Sequence, residues 1–578
     1  MTQTRTHEHS EASSVRSNAR GQAEAASTQR LLNSFLSETG IRDPRVAGEK
    51  EFRVLLSSSG HVLTGSILHW SPMGHHVFGP ELRLTDAVGT WTRPVDHRLL
   101  TDVLLGELSS LLGTDIETRT ELSAQVDNSV ESTARYLERG RGRRPRSAPH
   151  QSRALTRYAE QSLLMGHPLH PTPKSAEGFD DAELDAYAPE LGAEFALHYF
   201  AVAPHLLRSH RVADGEWLRT EVAAQARTAS GGGVDEGTLL PVHPWQAAYL
   251  LRQPRFLALV EADHITDLGP LGPDVYPTSS VRTVCDPDFT TAWKLPLHVR
   301  ITNFVRNNPV DQIQRALDAS AVVAGCRPGW DHPGFHVLIE TGALGLADAG
   351  LAADTTVLFR ENPFASDDKT PQVVAGLLEA GPDGAEPQLI DHVREACGVP
   401  TGPLPFDGVA QWLAQYLEIS LVPLLNVFGS TGISFEAHVQ NSLVHFDQGR
   451  PTHFYVRDME GVSLSRENRG QTPAGRALDP RSALLYSHDE AWHRLQYYAV
   501  TNHFGHLVHV LGYYTGHDEI RLWSVARRVL AARPGKYAKA LAAADTLPAK
   551  ANLSSRLAKS SEHPSYVLLP NPIHKVAR

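Results

Sequence analysis

Four short stretches carry side chains that could handle phosphate and carboxylate groups. In Thr278-Ser279-Ser280-Val281-Arg282-Thr283, hydroxyls flank an arginine on both sides. Hydroxyls, backbone N–H groups and a forked guanidinium suit phosphate oxygens. Trp293–Asn303 alternates, with Trp293, Leu295, Leu297, Val299 and Ile301 on one side and Lys294, His298, Arg300 and Thr302 on the other, and Arg306 follows. Period two predicts a strand whose apolar set meets a core and whose basic set faces a cleft or solvent. Pro296 lacks a donor, which predicts an edge strand or a bulge; Thr302 or Asn303 could cap a short helix before Arg306. Ile433–Val444 predicts a second strand, with Ser434, Glu436, His438, Gln440 and Ser442 on one face. A third, Phe454–Val456, runs into Arg457-Asp458-Met459-Glu460-Gly461. Asp458 at that strand end could share a divalent ion with Glu436, since Mg²⁺ takes one or two carboxylates plus phosphate oxygens and waters. Each stretch alone has a plainer reading: a solvated sheet face, a polar turn, or a salt bridge at Asp458.

Two proline-rich stretches add rigid polar loops. Gly166-His167-Pro168-Leu169-His170-Pro171-Thr172-Pro173-Lys174 sets three prolines around two histidines and a lysine, which pre-organises a binding loop. Leu240-Pro241-Val242-His243-Pro244-Trp245-Gln246 is similar, and a buried turn anchored by Trp245 is its plainer reading. His503, His506 and His509 recur every three residues on a predicted helix; spacing alone does not make a zinc site.

The elements that must position these residues belong to a chain of 578 residues, long enough for two or three domains. With 54 Lys and Arg against 65 Asp and Glu, the net charge of −11 disfavours a nucleic-acid binder, though local arginines can still receive an anion. Cys285, Cys326 and Cys397 are too few and too far apart for a disulfide framework, a zinc knuckle or an iron–sulfur centre. No signal-peptide core opens the chain, and the most apolar stretch, Ile419–Phe428, is too short to span a bilayer; a cytoplasmic, membrane-free protein is the default expectation. Residues 1–27 read as a loose polar tail. Helical periodicity follows at Leu31–Leu36 before Gly40, at Leu100–Leu112 before Gly113, and through Leu122, Val126, Val130 and Leu137. The run Arg139–Arg146, the glycines after Ser230 and the stretch 381–405 read as linkers.

Together the motifs resemble the NRPS-independent siderophore synthetases, the aerobactin-synthetase or IucA/IucC family. The matching elements are GHPLHPTPK at 166–174, LLPVHPWQ at 239–246, PTSSVRT at 277–283, KLPLHVRITNFVR at 294–306, FEAHVQNSLV at 435–444 and RDMEG at 457–461, with a weaker match from Ala549-Lys550-Ala551 to Arg556. They are collinear over roughly residues 150–560. Ala176 departs from the pattern, where a basic residue would fit better. The resemblance implies an α+β, three-domain cupped hand: a thumb at 28–150, fingers with an antiparallel sheet at 151–395, and a helix-rich palm at 396–578. It implies ATP between fingers and palm, touching His167, Lys174, Ser280, Arg282, Thr283 and Lys294, with Gln440 and Asn441 nearby. Arg306, His438 and Thr302 would grip the carboxylate substrate, Glu436 and Asp458 would hold Mg²⁺, and Lys294, Arg306 and His438 would carry the chemistry.

The implied reaction is adenylation of citrate or a citrate derivative, then capture by an amine, polyamine, hydroxamate-bearing amine or hydroxyl. A homodimer is compatible with the family. Adenylation brings an anion to a polyanion: two unit charges about 4 Å apart repel by about 4 kcal/mol at an effective dielectric near 20. Arg282, Lys294, Arg306 and Mg²⁺ are placed to offset this, and no GxxxxGK[ST] loop is present to share the task. His438 reads equally as carboxylate clamp or base. Rival readings are a kinase-like phosphotransferase, which would need a glycine-rich loop, and a non-catalytic or redox-active siderophore protein, which would need a cysteine group for a cluster.

Overall fold

The computed structural model describes residues 2–575 except 47–49, 141–152, 232–234, 303, 331, 366–368, 382–383, 534 and 561–563. The first helix, α1 (Thr2–Glu38), starts far earlier than the sequence suggests. Residues 1–27, expected as a loose tail, are helical from Thr2 because Ala19 and Ala23 give α1 a small-residue contact, packing with Val130 and Leu137 of α3 (Ile116–Gly140). A four-stranded antiparallel sheet follows, in the order β1 (Glu51–Leu55), β2 (Val62–His69), β3 (Val77–Thr85), β4 (Thr92–Val95). The helix α2 (His97–Leu112) opens on Asp96, whose carboxylate accepts the Leu99 N–H, and stops at Gly113, where φ is 69°.

The apolar repeats place Leu31, Phe35, Leu100, Leu104, Leu122 and Val126 in one core with Phe52 and Leu63 of the sheet. Leu553 and Leu557, from the far end of the chain, complete it. Glu38 accepts the N–H groups of Leu553 (2.8 Å) and Ser554 (2.6 Å), so α1 caps the helix that closes its own core.

The central region is built on an eight-stranded sheet ordered Leu207–Arg211, Glu340–Leu346, Val357–Glu361, Thr291–Lys294, Thr283–Cys285, Ile265–Pro277, Phe195–Val202, Leu239–Val242. Every pairing in it is antiparallel. Phe200, Leu240, Phe256, Trp293 and Phe359 fill one side.

A second sheet holds Phe335–Val337, Arg450–Val456, Ser442–Asp447 and Gln372–Val373. Two of these strands precede residue 395, so pairing crosses the expected boundary between fingers and palm. The long helices Phe406–Ile419, Leu421–Thr431, Gly505–Thr515 and Glu519–Ala532 join this sheet in the largest core. The stretch 381–405, expected as a linker, contains the helix Gln388–Cys397, because Leu389, Ile390 and Val393 bury on one face. Gly232, Gly233 and Arg141–Arg146 lie outside the described residues. No helix among the described residues is long and apolar enough to cross a membrane.

Two predicted strands are broken. Trp293–Asn303 divides at Leu295-Pro296 into Thr291–Lys294, in the large sheet, and Leu297–Ile301, which pairs with Ala176–Glu177 and Phe304–Arg306 in a small one. Pro296 has no N–H to continue the ladder. Both Trp293 and Lys294 are buried, whereas Arg300 on the second segment is exposed, so the basic side is a cavity wall at Lys294 and solvated at Arg300. Thr302 turns the chain with φ of 58° and begins no helix; Asn303 lies outside the described residues. Ile433–Val444 divides into Ile433–Ser434 and Ser442–Asp447. Between them His438 Nδ1 accepts the N–H groups of Gln440 (3.2 Å) and Asn441 (3.3 Å), and Asn441 Nδ2 donates to the Glu436 carbonyl (3.3 Å). These local side-chain bonds replace the strand ladder with a turn.

Candidate active site

The thirteen side chains to which the resemblance assigns a role line one cavity of about 830 Å³: His167, Lys174, Ser280, Arg282, Thr283, Lys294, Thr302, Arg306, Glu436, His438, Gln440, Asn441 and Asp458; His243, His298, Arg300, Ser434, Ser442 and His503 do not. The strand pair Thr283–Cys285 and Thr291–Lys294 sets Thr283 opposite Lys294. Lys294, 2% exposed, donates to Asp458 Oδ1 (2.7 Å) and Glu460 Oε2 (2.9 Å). Arg360 lies 3.3 Å from the same Asp458 oxygen and is itself held by Glu340 (2.7 Å). Burial alone would raise the Asp458 carboxyl, but Lys294 and Arg360 pull it well below the ordinary range. The salt-bridge reading of Asp458 therefore holds geometrically, beside its place in the cavity wall.

Arg282 Nη1 is spent on the carbonyls of Arg306 (2.9 Å) and Asn307 (2.8 Å). That leaves its Nη2, 4.0 Å from Glu460, as the arm nearest the acidic turn. Arg306 Nη2 donates to the Ile301 carbonyl (2.9 Å) and Thr302 Oγ1 (2.8 Å). Burial, reinforced by Arg282, lowers Arg306 to about 10. Ser280 Oγ accepts the Thr283 N–H (3.1 Å) and bonds Thr278 (3.1 Å). Gln440 Nε2 donates to the Ser279 carbonyl (2.9 Å), tying the two halves of the cavity together. Lys174 pairs with Glu190. His167 is fully used: Nδ1 accepts the Leu169 N–H (3.0 Å) and Nε2 meets the Asn502 amide (2.8 Å).

Val281 (φ 67°), Thr302 (φ 58°) and Asp458 (φ 75°) are three of the six described non-glycine residues in the left-handed region, and all three line this cavity. Such strain persists where surrounding bonds over-determine it, commonly at functional sites.

Several lining groups received no role from the sequence, Lys550 among them although it lies in the weaker matching element. Arg30 comes from α1, Arg315 and Arg360 from separate central elements, and Arg494 and Lys550 from the C-terminal third. Lys550 donates to Tyr498 (2.8 Å). Glu379 accepts the N–H groups of Met165 (2.7 Å) and Gly166 (3.0 Å), fixing the start of the proline-rich loop. Arg30, Lys174, Arg282, Lys294, Arg306, Arg315, Arg360, Arg457, Arg494 and Lys550 line the wall with Glu190, Glu379, Glu436, Asp458 and Glu460, while Glu340 and Glu160 pair with Arg360 and Arg457 from just behind it. Ten cations against seven carboxylates, counting the two behind the wall, in a chain of net charge −11, mark the cavity as suited to anions. Nε of Arg30, Arg306 and Arg315 is buried with no hydrogen-bond partner among the described residues, and buried donors of this kind call for an acceptor.

Glu436 rests against Gly461, just past the Asp458–Glu460 turn: a Cβ at Gly461 would collide with its carboxylate. Gly461→Ala is expected to displace Glu436 and cut turnover at least about tenfold with the fold retained, because a shift near 1 Å in a reacting geometry can cost far more. Steady-state rates beside thermal denaturation check this; an unchanged rate contradicts the placement of Glu436.

Burial pushes His167 and His243 down to about 3, and His76 and His503 to about 4. Each is neutral when folded but takes a proton near pH 6.5 when unfolded. The unfolded state thus binds more protons, and stability falls as pH drops from about 6.5 toward the folded values, by up to about 1.4 kcal/mol per pH unit for each histidine. Urea midpoints are expected to fall steadily from pH 7 to pH 5, less steeply in His167→Gln. A flat profile contradicts the burial of these rings as neutral groups.

The fold and cavity define an α+β protein with a cation-rich cavity lined by its central sheet and its helical C-terminal body. Residues 156–379 match the IucA / IucC family, and residues 410–565 match the ferric iron reductase FhuF-like transporter family. The L-2,3-diaminopropanoate–citrate ligase of Staphylococcus aureus is 34% identical over 95% of this chain and 96% of its own. The spermidine-citrate ligase of Bacillus anthracis is 29% identical over 95% of this chain and 98% of its own. ATP-bound aerobactin synthetase IucA from Klebsiella pneumoniae superposes with a TM-score of 0.82 at 25% identity, covering 95% of this chain and 99% of that one. The chain belongs to the IucA/IucC family.

Proposed function

We propose that this protein is an AMP-forming ligase of siderophore biosynthesis that joins a citrate-type carboxylate to an amine. The observation that carries the reading is the cationic cavity with its unpartnered arginine nitrogens, which suits a nucleotide triphosphate beside a polycarboxylate. The diaminopropanoate- and spermidine–citrate ligases among its relatives favour citrate and a primary amine. A carboxylate oxygen attacks the α-phosphorus of ATP and pyrophosphate leaves. The amine then attacks the acyl carbon, AMP leaves, and the nitrogen loses a proton.

Arg306, which lines the cavity and keeps a buried Nε without a partner, would receive the carboxylate. His438 would act as a clamp: its Nδ1 accepts two backbone donors, which supports a neutral ring with its proton on Nε2, able to donate. Burial, opposed by Glu436, lowers its pKa and favours that neutral form. Lys294, Arg282 Nη2, Ser280 and Thr283 would flank the triphosphate, with Gln440 and Asn441 beside it, while Lys174 and His167 shape the loop wall. The oxygen donors of Glu436 and Asp458 fit Mg²⁺, which needs few protein ligands when phosphate supplies others. Because Asp458 is shared with Lys294 and Arg360, Glu436 is the principal ligand. The ion would lower the charge on the phosphate oxygens.

Supplying citrate, ATP and hydroxylamine as a surrogate nucleophile is expected to yield AMP and pyrophosphate. ADP instead would install the phosphotransferase reading. The FhuF-like segment, residues 410–565, contains no cysteine, so it has no thiolate to hold an iron–sulfur cluster.

A further inference from the structure

Away from the triphosphate-binding elements, the cavity wall ends in a cluster of imidazoles between β2 and the C-terminal helices. His69 closes β2, His509 lies on the helix Gly505–Thr515, and Glu519 opens the helix Glu519–Ala532. One nitrogen of each ring and one carboxylate oxygen lie within 4.8 Å of one another. Glu519 Oε1 is 2.6 Å from His69 Nε2 and 3.1 Å from His509 Nδ1. Ser71 Oγ donates to the other carboxylate oxygen at 2.8 Å and orients it. A Cβ at Gly512 would stand 2.6 Å from Glu519 Cγ, so glycine there lets the carboxylate lie against the neighbouring helix.

Two further rings stack beside this triad. His75 lies 5.4 Å from His509 and 5.1 Å from His506, nearly parallel to both. His75 Nε2 and His506 Nδ1 are buried with no hydrogen-bond partner among the described residues. The two rings beside the triad thus leave buried ring nitrogens without a partner, a deficit that water bound to a cation on the triad would meet in either tautomer.

We propose that His69, His509 and Glu519 form a site for a divalent transition ion of the zinc class. Two imidazoles and one carboxylate form a common donor set for that ion, with three protein ligands and an open position. His509 also lines the main cavity, so the open position is on the cavity side. Bound there, the ion ties β2 to the two C-terminal helices. The site is separate from the Glu436–Asp458 region and does not depend on the ligase reading, since its readouts need no turnover.

The test uses the full chain, stripped by chelator and titrated with Co²⁺ under excess Mg²⁺ so that oxygen-rich sites are occupied. One equivalent is expected to bind with visible ligand-field absorption. Zn²⁺ should displace it and raise the melting temperature. His69→Gln and His509→Gln are each expected to weaken Co²⁺ binding at least about 100-fold, while Arg306→Ala leaves it intact. X-ray absorption of the wild-type Zn²⁺ form, which requires no variant to fold, should show nitrogen neighbours at about 2.0–2.1 Å. Lack of saturable binding, binding indifferent to both histidines, or an oxygen-only shell would overturn the site.

Discussion

Arg306→Ala is expected to lower citrate-dependent pyrophosphate release by about 10²–10³-fold, the usual loss when a positioned charge donor at a reacting centre is removed. The side chain is held in place: Nη2 is anchored on Ile301 and Thr302, while Nε is buried without a hydrogen-bond partner among the described residues. The anchored nitrogen serves the fold and the unpartnered one is left for substrate. Arg306→Lys is expected to rescue little, because a point ammonium cannot both hold the turn and reach the carboxylate. The apparent KM for citrate should rise more than that for ATP. Wild-type rates in the alanine variant would remove Arg306 from the site.

Lys294→Ala is expected to damage both stability and turnover. Lys294 neutralises Asp458 and Glu460 from a buried position. Without it the two carboxylates retain Arg360 at 3.3 Å and Arg282 at 4.0 Å. Leaving a buried pair uncompensated costs about 3 kcal/mol, which lowers the melting temperature. Both carboxyls, which burial would raise, are held low largely by Lys294. Their stabilising effect is present above the unfolded carboxylate range and lost as pH falls through their depressed folded values; in the variant that loss moves to higher pH. Turnover should drop at least about 100-fold through weakened charge stabilisation at the phosphates. Adding Asp458→Asn to Lys294→Ala should recover part of the stability but none of the turnover. Unchanged ATP kinetics in Lys294→Ala would contradict its role.

The convergence of these residues was legible in their order and types, but the backbone that produces it was not. Period two correctly grouped Glu436, His438 and Gln440, yet a side-chain-bonded turn brings them together; alternation cannot distinguish that from a strand when each histidine and asparagine can also bind its own backbone. Pro296 signalled a break, and the sequence did not show that its two sides enter different sheets. Arg30, Arg360 and Arg494 carry no local signature, since each reaches the cavity only through tertiary packing. Glu379 stands more than 200 residues from the loop it fixes, a contact no spacing rule finds. The polar composition of residues 1–27 suggested a loose tail because alanines at positions 19 and 23 look unremarkable until α3 packs on them.

The central claim, that the cavity transfers AMP to a carboxylate, is tested most directly by isotope. Citrate labelled with ¹⁸O in its carboxylates is incubated with ATP and an amine, and the nucleotide product is analysed by ³¹P NMR. Transfer of one ¹⁸O to the phosphorus of AMP is the predicted result, because the carboxylate oxygen that attacks phosphorus leaves with it. Label in inorganic phosphate alongside ADP would mean activation at the γ-phosphorus and would contradict the account.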